Sequence, residues 1–205
     1  MIADSDLGKV TREIDELMAD RSRGNKTAED RPVLVPSVLW SAMKRVILEK
    51  ELRSLALTDD LTCLYNRRGF FAAATQQLRF ARRNVQDIVL FLCDVDNLAQ
   101  INNSFGRAEG DFALVRTADA LEEAFRDSDL LARLGGDAFV ALASGTSGND
   151  RDAVLRRLEA CFQRTNANEP RYRLSVSVGT AHFDPHQPAG LSDLLEQADY
   201  ARHVR

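Results

Sequence analysis

Residues 88–93 read Ile-Val-Leu-Phe-Leu-Cys and run directly into Asp94-Val-Asp96. Six consecutive apolar side chains cannot alternate between core and water, so this run predicts a strand covered on both faces. A sheet with helices on both sides supplies that cover. Helical spacing marks residues 69–83, 98–105, 111–125, 151–163 and 191–201; in 111–125 the side chains expected to face inward are Phe112, Val115, Leu121 and Phe125. Residues 130–134 and 139–142 read as strands joined through Gly135-Gly136, and 172–183 alternates as a strand through Leu174, Val176 and Val178. Strands and helices interleave, so the class is α/β (α+β): a central mixed sheet, a β-hairpin carrying the Gly135-Gly-Asp-Ala-Phe139 turn, and flanking helices.

At ~150 residues per domain, 205 residues make one domain with an appendage. The appendage is residues 1–56. Val10, Ile14, Leu17 and Met18 share one helical face, a polar stretch follows to Pro32, and Ser37 then caps a second candidate helix. In that helix Leu39, Met43 and Val46 form one apolar stripe and Leu48, Leu52 and Leu55 an offset one, as in an N-terminal helical extension that signals or dimerises. Residues 57–205 form the main domain.

The net charge of −4 excludes a general nucleic-acid binder steered by charge, so no nucleic acid polymer is expected as partner. No apolar run approaches the ~20 residues that span a bilayer, and the first residues have neither a basic start nor an apolar signal core. A cytoplasmic protein with no membrane span is expected. Cys63, Cys93 and Cys161 are widely spaced and read as reduced core thiols. The histidines form no metal-binding pattern, and His182 and His186, separated by Pro185, read as surface residues.

Chemistry is concentrated at two places. Asp94 and Asp96 end the apolar strand, where an open sheet usually forms its ligand crevice, and a pleat would point both to one side. Asp137 sits at the tip of the glycine turn. If the hairpin lies beside the strand, the carboxylates of Asp94 and Asp137 converge, as proteins hold Mg²⁺ for triphosphate chemistry. Ordinary readings also stand: a strand end capping the next helix, and a plain Gly-Asp hairpin.

Further motifs extend the pattern. They are Leu57-Thr-Asp-Asp-Leu-Thr-Cys-Leu-Tyr-Asn-Arg-Arg-Gly-Phe70, Ile101-Asn102, Gly106, Gly110-Asp111, Arg126-Asp-Ser-Asp129, Arg133, Ser175-Val-Ser-Val-Gly179 and Ala198-Asp199. Together with Asp94-Val-Asp96 and Gly135-Gly-Asp-Ala-Phe139 they resemble, in order and spacing, the GGDEF domain of the diguanylate cyclase family, from about Leu55 onward.

The resemblance implies a cyclase-like fold in which two GTP-loaded subunits face each other as a homodimer and join their nucleotides into cyclic di-GMP. It implies Mg²⁺ held by Asp94, the Val95 carbonyl and Asp137, with Asp137 also the catalytic acid of the motif. Substrate is implied to lie at Gly135 and Gly136, with guanine read by Asn102 and Asp111, a carboxylate accepting from two guanine N–H groups as adenine cannot arrange. It also implies an allosteric cyclic di-GMP site at Arg126 and Asp129, where a guanidinium fork suits a phosphate or a guanine edge; Arg156 or Arg157 would add a contact, and an ordinary ion pair in a turn is the competing reading.

The sequence departs from the family where it matters for turnover. Ala138 replaces the motif's glutamate, Ala99 stands at the frequent lysine after Asp94-Val-Asp96, and Arg107 at the usual histidine. The sequence stops before the family's phosphate-contacting lysine and final strand, so the domain reads as truncated at its C-terminus, with Arg202 or Arg205 as the nearest substitutes. Loss of one preorganised charge typically costs ~10²-fold to 10³-fold in rate. The expectation is a catalytically impaired regulatory module binding cyclic di-GMP or GTP, with an active diguanylate cyclase as the alternative.

Overall fold

The computed structural model describes residues 56–146, 150–167 and 171–203, all within a compact unit spanning Glu51–Arg205. The helices expected before residue 56 lie outside the described residues. Among the described residues five strands and five helices follow one another as β1 (Tyr65–Asn66), α1 (Arg67–Asn84), β2 (Ile88–Val95), α2 (Leu98–Phe105), α3 (Arg107–Ala124), β3 (Leu130–Gly135), β4 (Ala138–Ser144), α4 (Arg151–Ala167), β5 (Val176–Phe183) and α5 (Leu191–His203). The sheet order is β1-β3-β4-β2-β5. Only β1 and β3 run parallel; every other neighbour is antiparallel, so the sheet is mixed as expected.

The apolar run is β2, held between β4 and β5 and buried on both faces. Its pleat divides the core in two. Val89, Phe91, Cys93 and Val95 join Phe139 and Ala141 of β4 beneath α3 and α4. Ile88, Leu90 and Leu92 join Val140, Leu142 and Ala181 beneath α1 and α5. Each large side chain so buried contributes ~1.5 to 3 kcal/mol. Burial also pushes the Cys93 thiol up to about 12, so it stays a protonated core group.

Three expectations are corrected. The third helix begins at Arg107, not 111, and packs through Ala113, Leu114, Thr117, Ala118 and Leu121. Leu121 and Phe125 are buried as expected, but the rest of the inward face is built from small side chains, with Phe112 50% exposed beneath the Arg116 guanidinium and Val115 only half-buried. The last strand starts at Val176 rather than Tyr172, because the preceding backbone bonds elsewhere: the Asn166 side chain takes both the N–H and the carbonyl of Leu174, at 2.8 Å each, and Asp96 N–H takes the Ser175 carbonyl. Cys63 is exposed, not core, because the tight loop from Asp59 places it at φ 61° facing outward.

Candidate functional site

The hairpin does lie beside the end of β2. Asp94 is in register with Ala138, and Val95 N–H donates to the Asp137 carbonyl at 3.0 Å. The two-residue connection Gly136-Asp137 has φ 57° at Gly136, a left-handed value glycine adopts without strain, and Asp137 is exposed at its tip. Arg133 braces this turn from below: its Nε and Nη2 donate to the Gly136 carbonyl at 3.0 and 2.7 Å, and its Nη1 pairs with Asp59 Oδ1 at 3.2 Å. Burial works to raise the Asp59 carboxyl, yet hydrogen bonds from Thr62 and the Arg133 charge outweigh it and hold Asp59 below the ordinary value.

Asp94 and Asp96 separate in role. Asp96 accepts from the hydroxyls of Ser175 at 2.7 Å and Ser177 at 2.6 Å, tying the end of β2 to the start of β5. It does not cap α2, whose N-cap is Asn97 at φ 58°. Asp94 lies on the α5 side of the sheet, where Arg202 of α5 donates to its Oδ2 through Nη1 and to Asp199 through Nη2 at 2.6 Å. Arg202 was a candidate phosphate contact; here it engages a carboxylate instead, and Arg205 lies outside the described residues.

Asn102 of α2 and Asp111 of α3 stand on either side of the corner between the two helices. Gly106, at φ 89°, turns the chain between the helices, and Asp111 lies exposed in the second turn of α3, so it is not the N-cap. The Asn102 carboxamide rests against Gly110, where a Cβ would fall 1.9 Å from its Oδ1. Glu109 anchors the same corner to the chain before β5, accepting from Arg171 at 2.9 Å through both oxygens and from the Tyr172 hydroxyl at 2.9 Å. Tyr172 also stacks on Phe105, with centroids 5.7 Å apart, and burial followed by Glu109 raises its phenol.

Arg126 and Asp129 stand apart from this corner, at the turn into β3. They line an open cleft of about 500 Å³ with Thr58, Cys63, Tyr65 and Glu122. Asp129 is not paired with the guanidinium as a surface ion pair would be; its carboxylate accepts from the backbone N–H of Arg126 at 3.0 Å and of Ser144 at 3.3 Å, and so shapes the turn. Arg157 does not reach the cleft, because it donates to the Ala124 carbonyl at the end of α3. His182 and His186 are exposed, as expected, and His182 pairs with Asp87 at 2.9 Å.

Asp94, Val95 and Asp137 offer two carboxylates and a carbonyl, hard oxygen donors that suit Mg²⁺ when phosphates and water complete its shell. Among the described residues no three His, Cys, Asp or Glu side chains gather as a fuller ligand set. Arg133 and Glu109, to which the sequence assigns no role, hold the others in place, and Asp96, expected beside Asp94 at the crevice, does the same. Arg133 carried a signal, its fixed distance from the glycine pair, but nothing in the sequence announced its partners.

A five-stranded mixed sheet with helices on both faces, and an acid-tipped hairpin beside an acid-ended central strand, define an α+β domain. The family model described as "Diguanylate cyclase, GGDEF domain" matches residues 56–203, and the chain belongs to that family. It is 32% identical over 162 residues, 78% of its length, to the probable diguanylate cyclase DgcC of Escherichia coli K12, of which the match spans 43%. The solved GGDEF domain of TpbB from Pseudomonas aeruginosa is 32% identical, with a TM-score of 0.64, covering 72% of this chain and 87% of that one. A microbial GGDEF domain solved for its interaction with cyclic di-GMP is 31% identical, with a TM-score of 0.60, covering 73% of this chain and 92% of that one. The chain thus spans less than half the length of the curated relative it matches. No described helix is long and apolar enough to cross a membrane.

Proposed function

We propose that this chain is a catalytically impaired GGDEF module of cyclic di-GMP signalling, working in the cytoplasm, which binds GTP with Mg²⁺ at one site and cyclic di-GMP at another. In this reading Asp94, the Val95 carbonyl and Asp137 hold Mg²⁺, which when bound draws charge off the phosphate oxygens. Gly135 and Gly136 leave room for the triphosphate, since no atom lies within 4 Å of where a Cβ would stand on either. Asn102 and Asp111 read guanine, and Arg126 with Asp129 receives cyclic di-GMP in the 500 Å³ cleft. Residues 1–56 carry the signal, and two copies face each other as a homodimer.

The observation that carries impairment is what surrounds Asp94. Its ladder partner is Ala138, where the family's motif has an acid, and its Oδ2 is held by Arg202. One negative charge is missing and one positive charge is added at the place where metal and phosphate would meet. Ala99, on the exposed face of α2, offers no amine in compensation. The alternative, an active cyclase, has in its favour the intact register that sets Asp137 beside the end of β2.

The deciding experiment is calorimetric titration of the full chain with GTP plus Mg²⁺ and, separately, cyclic di-GMP, alongside product analysis after incubation with GTP. Binding of either ligand with no cyclic di-GMP formed is the expected result. Sustained turnover supports the active alternative, and absence of binding by both ligands refutes the nucleotide reading altogether.

A further inference from the structure

Arg202 reaches Asp94 because of a glycine. Gly179 on β5 is in register with Leu92 on β2, two residues before Asp94, so Gly179 and Asp94 share the sheet face that α5 covers. A Cβ at Gly179 would lie 1.9 Å from the Ala198 carbonyl oxygen and 2.9 Å from Arg202 Cβ. The last turns of α5 are therefore seated directly on bare backbone, and the side chain of Arg202 is pressed along the strand toward the end of β2. Its side chain is only 18% exposed, its two Nη atoms are committed to Asp94 and Asp199, and its Nε is buried with no hydrogen-bond partner among the described residues. A cation at the C-terminal end of a helix is also favoured by the helix dipole.

We infer that Arg202 is a resident counter-cation for Asp94, competing with a divalent metal ion for that carboxylate and so setting the metal affinity of the site. The inference rests on the reading of Asp94 as a metal ligand. A carboxylate neutralised at close range by a guanidinium is a poorer donor to a second cation, and the two cations repel one another across the shared group. For a metal to take Asp94 through Oδ2, Arg202 must swing off it, and Asp199 is the partner it retains. The orphaned Nε fits this arrangement: the guanidinium is held by its two ends and not by its inner edge, so it can turn away from Asp94 without losing a bond at Nε.

The test is titration of the full chain with Mn²⁺ alone into the millimolar range, following the electron paramagnetic resonance signal of free Mn²⁺, with urea denaturation to verify folding. Arg202→Met removes the charge and keeps a helix-compatible, apolar side chain, and should bind Mn²⁺ at least ~10-fold more tightly, the change expected for lifting one nearby charge from a partly buried site. Asp94→Asn added to Arg202→Met should abolish the gain. If Arg202→Met does not fold, Arg202→Gln reads the same step with the side chain's length retained. Equal or weaker Mn²⁺ binding in the folded variant overturns the inference while leaving a metal site in place, as does a gain that survives Asp94→Asn. No Mn²⁺ binding by parent or variant removes the metal site, and the inference with it.

Discussion

Replacing Gly110 with alanine should separate stability from nucleotide recognition. Gly110 lies in the first turns of α3, where an alanine ordinarily stabilises a helix by ~0.5 to 1 kcal/mol. Its new Cβ would stand 1.9 Å from Asn102 Oδ1 and 2.8 Å from Asn102 Cγ, with no backbone atom among those nearest contacts. The far end of a half-buried side chain can move, at ~0.5 to 1.5 kcal/mol for leaving its preferred rotamer. The two effects nearly cancel, so urea unfolding should place Gly110→Ala within ~1 kcal/mol of the parent. Recognition has no such compensation. If Asn102 contributes one or two hydrogen bonds to guanine, at ~0.5 to 1.5 kcal/mol each, GTP should bind roughly 2-fold to 140-fold more weakly, at 1.4 kcal/mol per factor of ten. Calorimetric titration with GTP and Mg²⁺ reads this directly. In an Asn102→Ala background the Gly110→Ala change should cost no further affinity, because the side chain it displaces is already gone. Unaltered GTP affinity in the single variant, or a full loss in the Asn102→Ala background, would refute the assignment of Asn102 as a base contact.

Gly179→Ala should behave oppositely to Gly110→Ala, because its Cβ meets a backbone carbonyl at 1.9 Å that cannot rotate aside; a loss of at least ~1 to 3 kcal/mol in urea unfolding is expected, and a neutral result would mean α5 is not seated on β5 as described. Asp59→Asn should destabilise by ~1 to 3 kcal/mol at neutral pH through loss of the charge-assisted bonds to Thr62 and Arg133. Because the folded-state pKa of Asp59 is depressed, its contribution is complete above the unfolded value of ~3.9 and fades as pH falls through the lower folded value. Parent and variant stabilities should therefore converge in acid, and a gap independent of pH would contradict the pairing. Arg126→Ala should weaken cyclic di-GMP binding by ~1.5 to 3 kcal/mol, the worth of a charged hydrogen bond, and leave GTP affinity intact; equal cyclic di-GMP binding in both proteins counts against the cleft.

Motifs and continuous patterns were legible in the sequence, and partners were not. The run from Ile88 to Cys93 could only be a doubly covered strand, and the Gly135-Gly136 pair could only be a tight turn. Helix 107–124 starts earlier than its pattern predicts and carries only Leu121 and Phe125 of the expected face inward, because the rest of its packing side is built from Ala113, Ala118 and Ala120, which carry little hydrophobic signal, while the conspicuous Phe112 faces out. Strand β5 looked longer than it is because Leu174 alternates correctly, yet its backbone is bonded by Asn166 from α4. A side chain eight residues away that substitutes for a ladder partner leaves no periodic trace.

The acidic pair illustrates the same limit with functional weight. Asp94 and Asp96 are two residues apart and chemically alike, and the pleat of a strand points both to one side, the side of Ser177. The strand ends at Val95, so Asp96 is released to the hydroxyls of Ser175 and Ser177, whereas Asp94 remains inside the ladder between Ala138 and Ser177. Asp94 is thus the one in register with the residue that follows the acid at the tip of the hairpin. The substitution at 138 and the arginine at 202 then act on that same carboxylate from the neighbouring strand and from the helix above. Each makes the site less negative: the first withdraws an acid that would assist in neutralising a metal, and the second supplies a cation where the metal would sit. In the function proposed above, a site altered this way would be weakened for metal-dependent transfer but not for attracting a polyphosphate, while Asn102 and Asp111 stand on the α2–α3 corner that Glu109 anchors, away from both changes. Loss of turnover and retention of nucleotide binding are consequently compatible within one fold, because the groups that would transfer and the groups that would recognise stand on different elements.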